Sequence, residues 1–194
     1  MAARELAFTG AALADDAKNY HAWAHRGWAV ALGRLWDAEL RATEAALRDD
    51  PRNNSAWNAR YSALARLGAQ PTPRRLGEEE AAKELQFAGW HISCDPANEA
   101  AWAYARGIAA TGAAAQSLLQ DTAAETLAAH PHNTHAACVL ADAAEARALG
   151  GEDAAAAAES GRLFRLCCEH DPIRAPYWTF RAAACGGEYD GEQQ

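Results

Sequence analysis

The chain has 194 residues, 50% hydrophobic and 23% charged, with 18 Lys and Arg against 26 Asp and Glu and a formal net charge of -8. That length suffices for one domain with a sizeable core, the acidic balance argues against sequence-independent binding to nucleic acid, and no run of 18 or more apolar residues is present to cross a membrane. The five cysteines, Cys94, Cys138, Cys167, Cys168 and Cys185, are odd in number and lack the spacing of a disulfide scaffold, which fits a reducing, cytoplasmic setting.

Along the chain, Met1 to Leu13 is mildly apolar but carries Arg4 beside Glu5 and runs into Asp15-Asp16, unlike a secretory signal. Then come two near-copies 34 residues apart, Asn19-Tyr20-His21-Ala22-Trp23-Ala24-His25-Arg26 and Asn53-Asn54-Ser55-Ala56-Trp57-Asn58-Ala59-Arg60. Asn, Trp and Arg keep that period at three independent positions, the mark of a repeat architecture. Within a copy, Trp stands four residues after Asn and Arg three after Trp, which places all three along one helix face that has to be buried. Asn19 and Asn53 are expected N-caps, Trp23 and Trp57 fill the core, and Arg26 and Arg60 either lie over an aromatic ring or reach a carboxylate. Leu35 to Arg48 reads as the second helix of a hairpin, with Leu35, Leu40 and Leu47 inward and Asp37, Glu39, Arg41 and Glu44 on the wet side.

An insertion with Pro71, Pro73 and Gly77 precedes a third copy at Asn98 with Trp102, displaced by 45 from the second, and Glu78-Glu79-Glu80 is its acidic helix start. A fourth copy begins at Asn133, and a divergent fifth, near residue 174, contains Tyr177-Trp178. Asp50-Pro51, Asp95-Pro96, His130-Pro131 and Asp171-Pro172 stand before four of the copies, where proline closes the preceding helix. Asp15-Asp16 and Asp49-Asp50 read as helix-end residues rather than metal-diphosphate carboxylates. The alanine run 154–158 favours helix, and no alternating strand pattern is present. A single hairpin cannot bury its apolar stripe, so the expectation is an all-α, right-handed α-α superhelix of stacked antiparallel hairpins from about Glu5 to Cys185. The repeat domain would cover residues 1–187, with 188–194 a disordered tail.

Tetratricopeptide repeats share the period of 34 but place Trp early, followed by Leu-Gly and Tyr, an order absent here. The Asn-x-x-x-Trp-x-x-Arg openings resemble the α subunit of protein prenyltransferases. Lys18-Asn19-Tyr20-His21-Ala22-Trp23, Leu35-Trp36-Asp37-Ala38-Glu39-Leu40 and Arg52-Asn53-Asn54-Ser55-Ala56-Trp57 are similar to the subunit shared by farnesyltransferase and type I geranylgeranyltransferase. The resemblance runs to Tyr177-Trp178. It implies further repeats ahead of this one, so the chain reads as shortened at its start, and by register the diphosphate-binding lysine of the family belongs to an upstream copy and not to Lys18. The triplet that maps here, Asn19, Tyr20 and His21, would face the active-site mouth near the isoprenoid diphosphate and the β subunit. Trp23, Arg26, Asn53, Trp57, Arg60, Trp102 and Trp178 are assigned to repeat structure.

The implied reaction joins the cysteine of a C-terminal CaaX motif to C1 of farnesyl or geranylgeranyl diphosphate. The resemblance places zinc, and allows magnesium, in the complex through a β-subunit partner, and none in this chain. The residues agree with that: Cys167 and Cys168 are adjacent, and His130, His132 and His135 sit at a turn and helix start. Two other readings stand: a helical-repeat scaffold that binds protein without catalysis, and the α subunit of the Rab-type enzyme, which usually carries further domains.

Overall fold

In the computed structural model, residues 1–66, 75–151 and 153–185 are described, and their regular structure is entirely α-helical. The helices are α1 (Ala2–Asp15), α2 (Tyr20–Gly33), α3 (Trp36–Asp49), α4 (Asn54–Arg66), α5 (Glu78–Cys94), α6 (Glu99–Ala109), α7 (Ala113–Ala129), α8 (Thr134–Gly151), α9 (Ala154–His170) and α10 (Ala175–Ala184). Pro71 and Pro73 of the insertion, and the tail from residue 188, lie outside the described residues.

The turns ahead of Asn19 and Asn53 are built by side chains as much as by backbone. Asp16 Oδ1 accepts from the Lys18 amide at 3.1 Å and Asp50 Oδ1 from the Arg52 amide at 2.9 Å, an Asx turn that ends one helix and aims the next. The asparagine then caps: Asn19, Asn53, Asn98 and Asn133 accept through Oδ1 from the amides of Ala22, Ala56, Ala101 and Ala136 at 2.9, 3.2, 3.4 and 2.8 Å. This satisfies one of the amides that every helix start leaves open. The other half of the same carboxamide works over a longer range. Asn53 Nδ2 donates to the Ala17 carbonyl at 2.8 Å, Asn98 Nδ2 to the Pro51 carbonyl at 2.8 Å, and Asn133 Nδ2 to the Pro96 carbonyl at 2.7 Å. Asn53, Asn98 and Asn133 thus tie their helix starts to the turn of the repeat before.

The tryptophans use the same acceptors. Trp23 Nε1 donates to Ala17 O and Trp57 Nε1 to Pro51 O, each at 2.9 Å and each six residues back. The turn carbonyl therefore takes one hydrogen bond from its own repeat and one from the next, which uses both lone pairs.

The chain divides into two compact units. The first comprises Met1–Ile92 and Asn98–Ala115, the second Ser93–Ala97 and the described residues from Gln116 on. In the first unit α1 packs on α2, α3 on α4, and α2, α4 and α6 are neighbours in series. Val30, Leu47, Trp57, Ile92, Trp102 and Ile108 are each at most 2% exposed and make its core. In the second unit α9 packs against α8 and α10, with Phe164 stacked on Trp178 at 6.2 Å between Leu163, Cys167, Ala137 and Ala182.

One sequence expectation is overturned in α3. Glu39, assigned to the wet face, is 3% exposed and lies on the same buried stripe as Thr43 and Leu47, while Leu35 and Leu40 are half-buried. The period of four that carries Glu39, Thr43 and Leu47 wins because Glu39 has a cation to meet inside, described below.

Two stability predictions follow from these contacts. Asn53→Ala removes the cap and the link to Ala17 together and should cost about 2–3 kcal/mol in urea unfolding. Asn53→Asp keeps the capping oxygen but loses the donor, and should fall between the two. Arg34 closes α2 in the left-handed region at φ 51°, ψ 40°. Arg34→Gly is expected to gain about 1 kcal/mol in the same assay, since glycine occupies that conformation without the Cβ penalty.

Candidate functional site

Residues Asn19, Tyr20 and His21 come together at the start of α2, as the helix geometry requires. Asn19 is half-buried by its capping role, Ala22 turns inward, and Tyr20 and His21 are left exposed on the first turn. Tyr20 is 77% exposed and meets the His21 ring edge-on at 5.6 Å. Lys18, one residue before the cap, is held by Asp50 at 2.9 Å, and this hydrogen bond draws the Asp50 carboxyl below its ordinary value.

Tyr20 also stands on the rim of a groove of ≈ 630 Å³ within the first unit. One wall is α2, with Trp23 and Gly27; the other is α4, with Asn54, Asn58 and Ser62; Trp36 and Glu39 of α3 close the floor. Gly27 has open space where a side chain would be. The Glu39 charge is balanced from below: Arg26 donates through Nε and Nη2 to Glu39 Oε2, both at 2.7 Å, and through Nη1 to the Leu6 carbonyl at 3.4 Å. The indole Nε1 of Trp36 is buried without a hydrogen-bond partner among the described residues.

The second copy repeats the device one period on. Arg60 pairs in a fork with Glu84 of α5, Nε to Oε2 and Nη2 to Oε1 at 2.8 Å each, and Nη1 reaches the Leu40 carbonyl at 3.3 Å. Leu6 and Leu40 are 34 residues apart, as are Arg26 and Arg60. The Arg60 guanidinium also lies 4.3 Å over the Phe87 ring, and the Tyr104 hydroxyl donates to Glu84 Oε2. Burial opposes the Arg60 charge, but the Glu84 carboxylate more than offsets it and raises its pKa; burial and the same carboxylate push the Tyr104 phenol far up, so it stays a donor. Beside them, burial and the Arg60 charge lower the pKa of His91, which is 2% exposed among Trp57, Phe87 and Trp90. It is neutral at pH 7.

Trp57 and Trp102 are 1% exposed and Trp178 is 7% exposed, each filling its unit's core, whereas Trp23 is half-buried at the groove. The last copy departs from the pattern. Arg174 stands where the others have asparagine and makes no side-chain cap; instead Asp171 Oδ2 accepts from Arg174 Nε at 2.6 Å and from Trp178 Nε1 at 2.9 Å. Although burial works against the charge, these donors hold the Asp171 carboxyl below its ordinary value of 3.8.

Sequence reasoning missed four residues of these networks: Glu39, Glu84, Tyr104 and Arg181. Arg181 carried a usable signal, since it follows Trp178 by three as Arg26 follows Trp23. It bonds Asp142 at 2.8 Å and Glu145 at 2.6 Å and lies 4.4 Å over Phe164. The histidines 130, 132 and 135 belong to the second unit. Among the described residues no group of three or more His, Cys, Asp or Glu could hold a metal ion.

Residues 2–32 and 36–67 match the family described as protein prenyltransferase alpha subunit repeat. The two matches lie in the first third of the chain, and the likeness to that family is carried by these residues. The matched stretches are α1 with α2 and α3 with α4, so each ends on an Asn-Trp-Arg helix. In fold, the chain is similar to a chain of Candida albicans protein geranylgeranyltransferase-I complexed with GGPP, at a TM-score of 0.76 and 22% identity. The likeness covers 94% of this chain and 58% of that one. No curated protein matches the chain in sequence. No helix among the described residues is long and apolar enough to cross a membrane.

Two outcomes test the repeat networks. Glu84→Ala leaves Arg60 buried without its carboxylate and should cost about 3–5 kcal/mol, while Arg60→Leu together with Glu84→Leu should cost much less, because the burial of an unmatched charge is then gone; a double-mutant cycle in urea measures the difference. For Asp171 the folded pKa lies below the unfolded one, so the folded state binds the proton less readily. Its contribution is complete above pH 3.8 and disappears as pH falls through the lowered folded value. Acid titration of stability should therefore be shallower in Asp171→Asn than in the parent over that range.

Proposed function

We propose that this chain is the α subunit of a heterodimeric protein prenyltransferase that transfers a farnesyl or geranylgeranyl group to the cysteine of C-terminal CaaX motifs. The observation that carries the reading is the exposure of Tyr20 and His21 on the first turn of α2, at the rim of a groove, in a stretch that matches this repeat family. A helix start presents free amides and the positive end of the helix dipole, which suits the diphosphate of an isoprenoid donor. In the transfer, the substrate sulfur bonds to C1 of the isoprenoid while the C1–O bond breaks and diphosphate leaves with the electron pair. Tyr20 supplies a hydroxyl and His21 an imidazole to the oxygens on which that charge collects. The wide groove, with Asn54, Asn58 and Ser62 along one wall, suits contact with a β subunit, which in this reading holds the zinc and the lipid pocket.

Purification of the chain with a zinc-loaded β subunit, followed by prenyl transfer to a CaaX peptide from each donor, tests the proposal. Turnover is expected, with Tyr20→Phe and His21→Ala each lowering kcat/KM about tenfold, the loss of one hydrogen bond to a charged group, while the complex still forms. A stable complex without turnover would favour the non-catalytic scaffold, and failure to form any complex would end the reading.

A further inference from the structure

The histidines of the second unit do not gather where the sequence crowds them. His132, in the turn that leads into α8, meets His170, the last residue of α9, with ring centroids 4.2 Å apart and planes tilted by 44°. Both side chains are exposed. We propose that His132 and His170 form an open two-imidazole site for a divalent ion of the zinc and copper class.

The distance carries the proposal. Two imidazoles bound to one tetrahedral ion, each at about 2.1 Å from nitrogen to metal, put their ring centres roughly 5 Å apart. The observed 4.2 Å is somewhat shorter, and both side chains are exposed, so the rings are free to turn apart to reach it. His170 sits at the C-terminal end of α9, where the helix dipole favours positive charge. Imidazole donors select Zn²⁺, Cu²⁺ or Ni²⁺ over Mg²⁺ and Ca²⁺.

With no third ligand of the His, Cys, Asp or Glu type among the described residues, the remaining coordination positions are left to water or to an external donor. The ligands are 38 residues apart in sequence, so the chelate exists in the folded chain and not in the unfolded one, and binding adds directly to stability. This site is independent of any zinc carried by a β subunit.

Calorimetric titration of the full chain with ZnCl₂ tests the site. One equivalent should bind, His132→Ala and His170→Ala should each weaken binding at least tenfold, and His130→Ala should leave it unchanged. Zn²⁺ should also raise the thermal midpoint of the parent and of His130→Ala but not of the other two. Where alanine alters the helical spectrum, His132→Gln and His170→Gln repeat the comparison with a side chain closer in size. Absence of saturable binding, or equal affinity in parent and both variants, would overturn the proposal, as would a loss in His130→Ala matching that in His170→Ala, since the ion would then sit on the turn alone.

Discussion

The structure depends above all on a side-chain carboxamide used at both of its ends. In Asn53, Asn98 and Asn133 the oxygen closes the first turn of a helix while the nitrogen donates to a turn carbonyl of the preceding repeat. No other residue type does both at this reach: aspartate lacks the donor, serine is too short, and glutamine places its amide too far from the backbone to cap well. The arrangement couples formation of a helix to its docking, because the geometry that caps also points the amide at the neighbour. Proline or alanine at the acceptor position is suitable since only its carbonyl is needed. Tryptophan then completes the same acceptor from within the repeat.

Around this link, the buried Arg–Glu pairs set how one helix lies on another. Arg26 with Glu39, and Arg60 with Glu84, are charged groups enclosed by helices, and each arginine uses a remaining nitrogen on the backbone of a third helix. Such pairs contribute little net stability, because desolvation offsets most of the attraction. Their effect is on register: a sliding helix would strand an ion in the interior. That constraint reaches the surface through Glu39, which is both the partner of Arg26 and part of the groove floor below Tyr20.

Much of the fold was legible in the sequence because the repeat writes it several times. The period of 34, the Asn-Trp-Arg spacing and the Asp-Pro turns locate the helix starts at Tyr20 and Asn54, and the same asparagine signal marks Glu99 and Thr134. Glu39 was misread because an amphipathic pattern treats every charge as solvent-seeking, and the cation that brings it inside lies 13 residues away on another helix. Arg181 was overlooked because its repeat has lost the asparagine, although its spacing from Trp178 is intact. The exposure of Tyr20 and His21 followed from their place on the first turn, but the groove beside them did not, since its walls come from α2 and α4.

The sequence by itself determined the helical repeat and the position of its turns and caps, because these rest on contacts within about one helical turn of each other. The tertiary structure decided which charges are paired inside, which turn carbonyl each asparagine reaches, that a groove opens beside Tyr20, and that His132 meets His170 instead of its neighbours in sequence. These depend on distances between residues 13 to 47 positions apart, which are set by how helices pack and leave no local pattern in the chain.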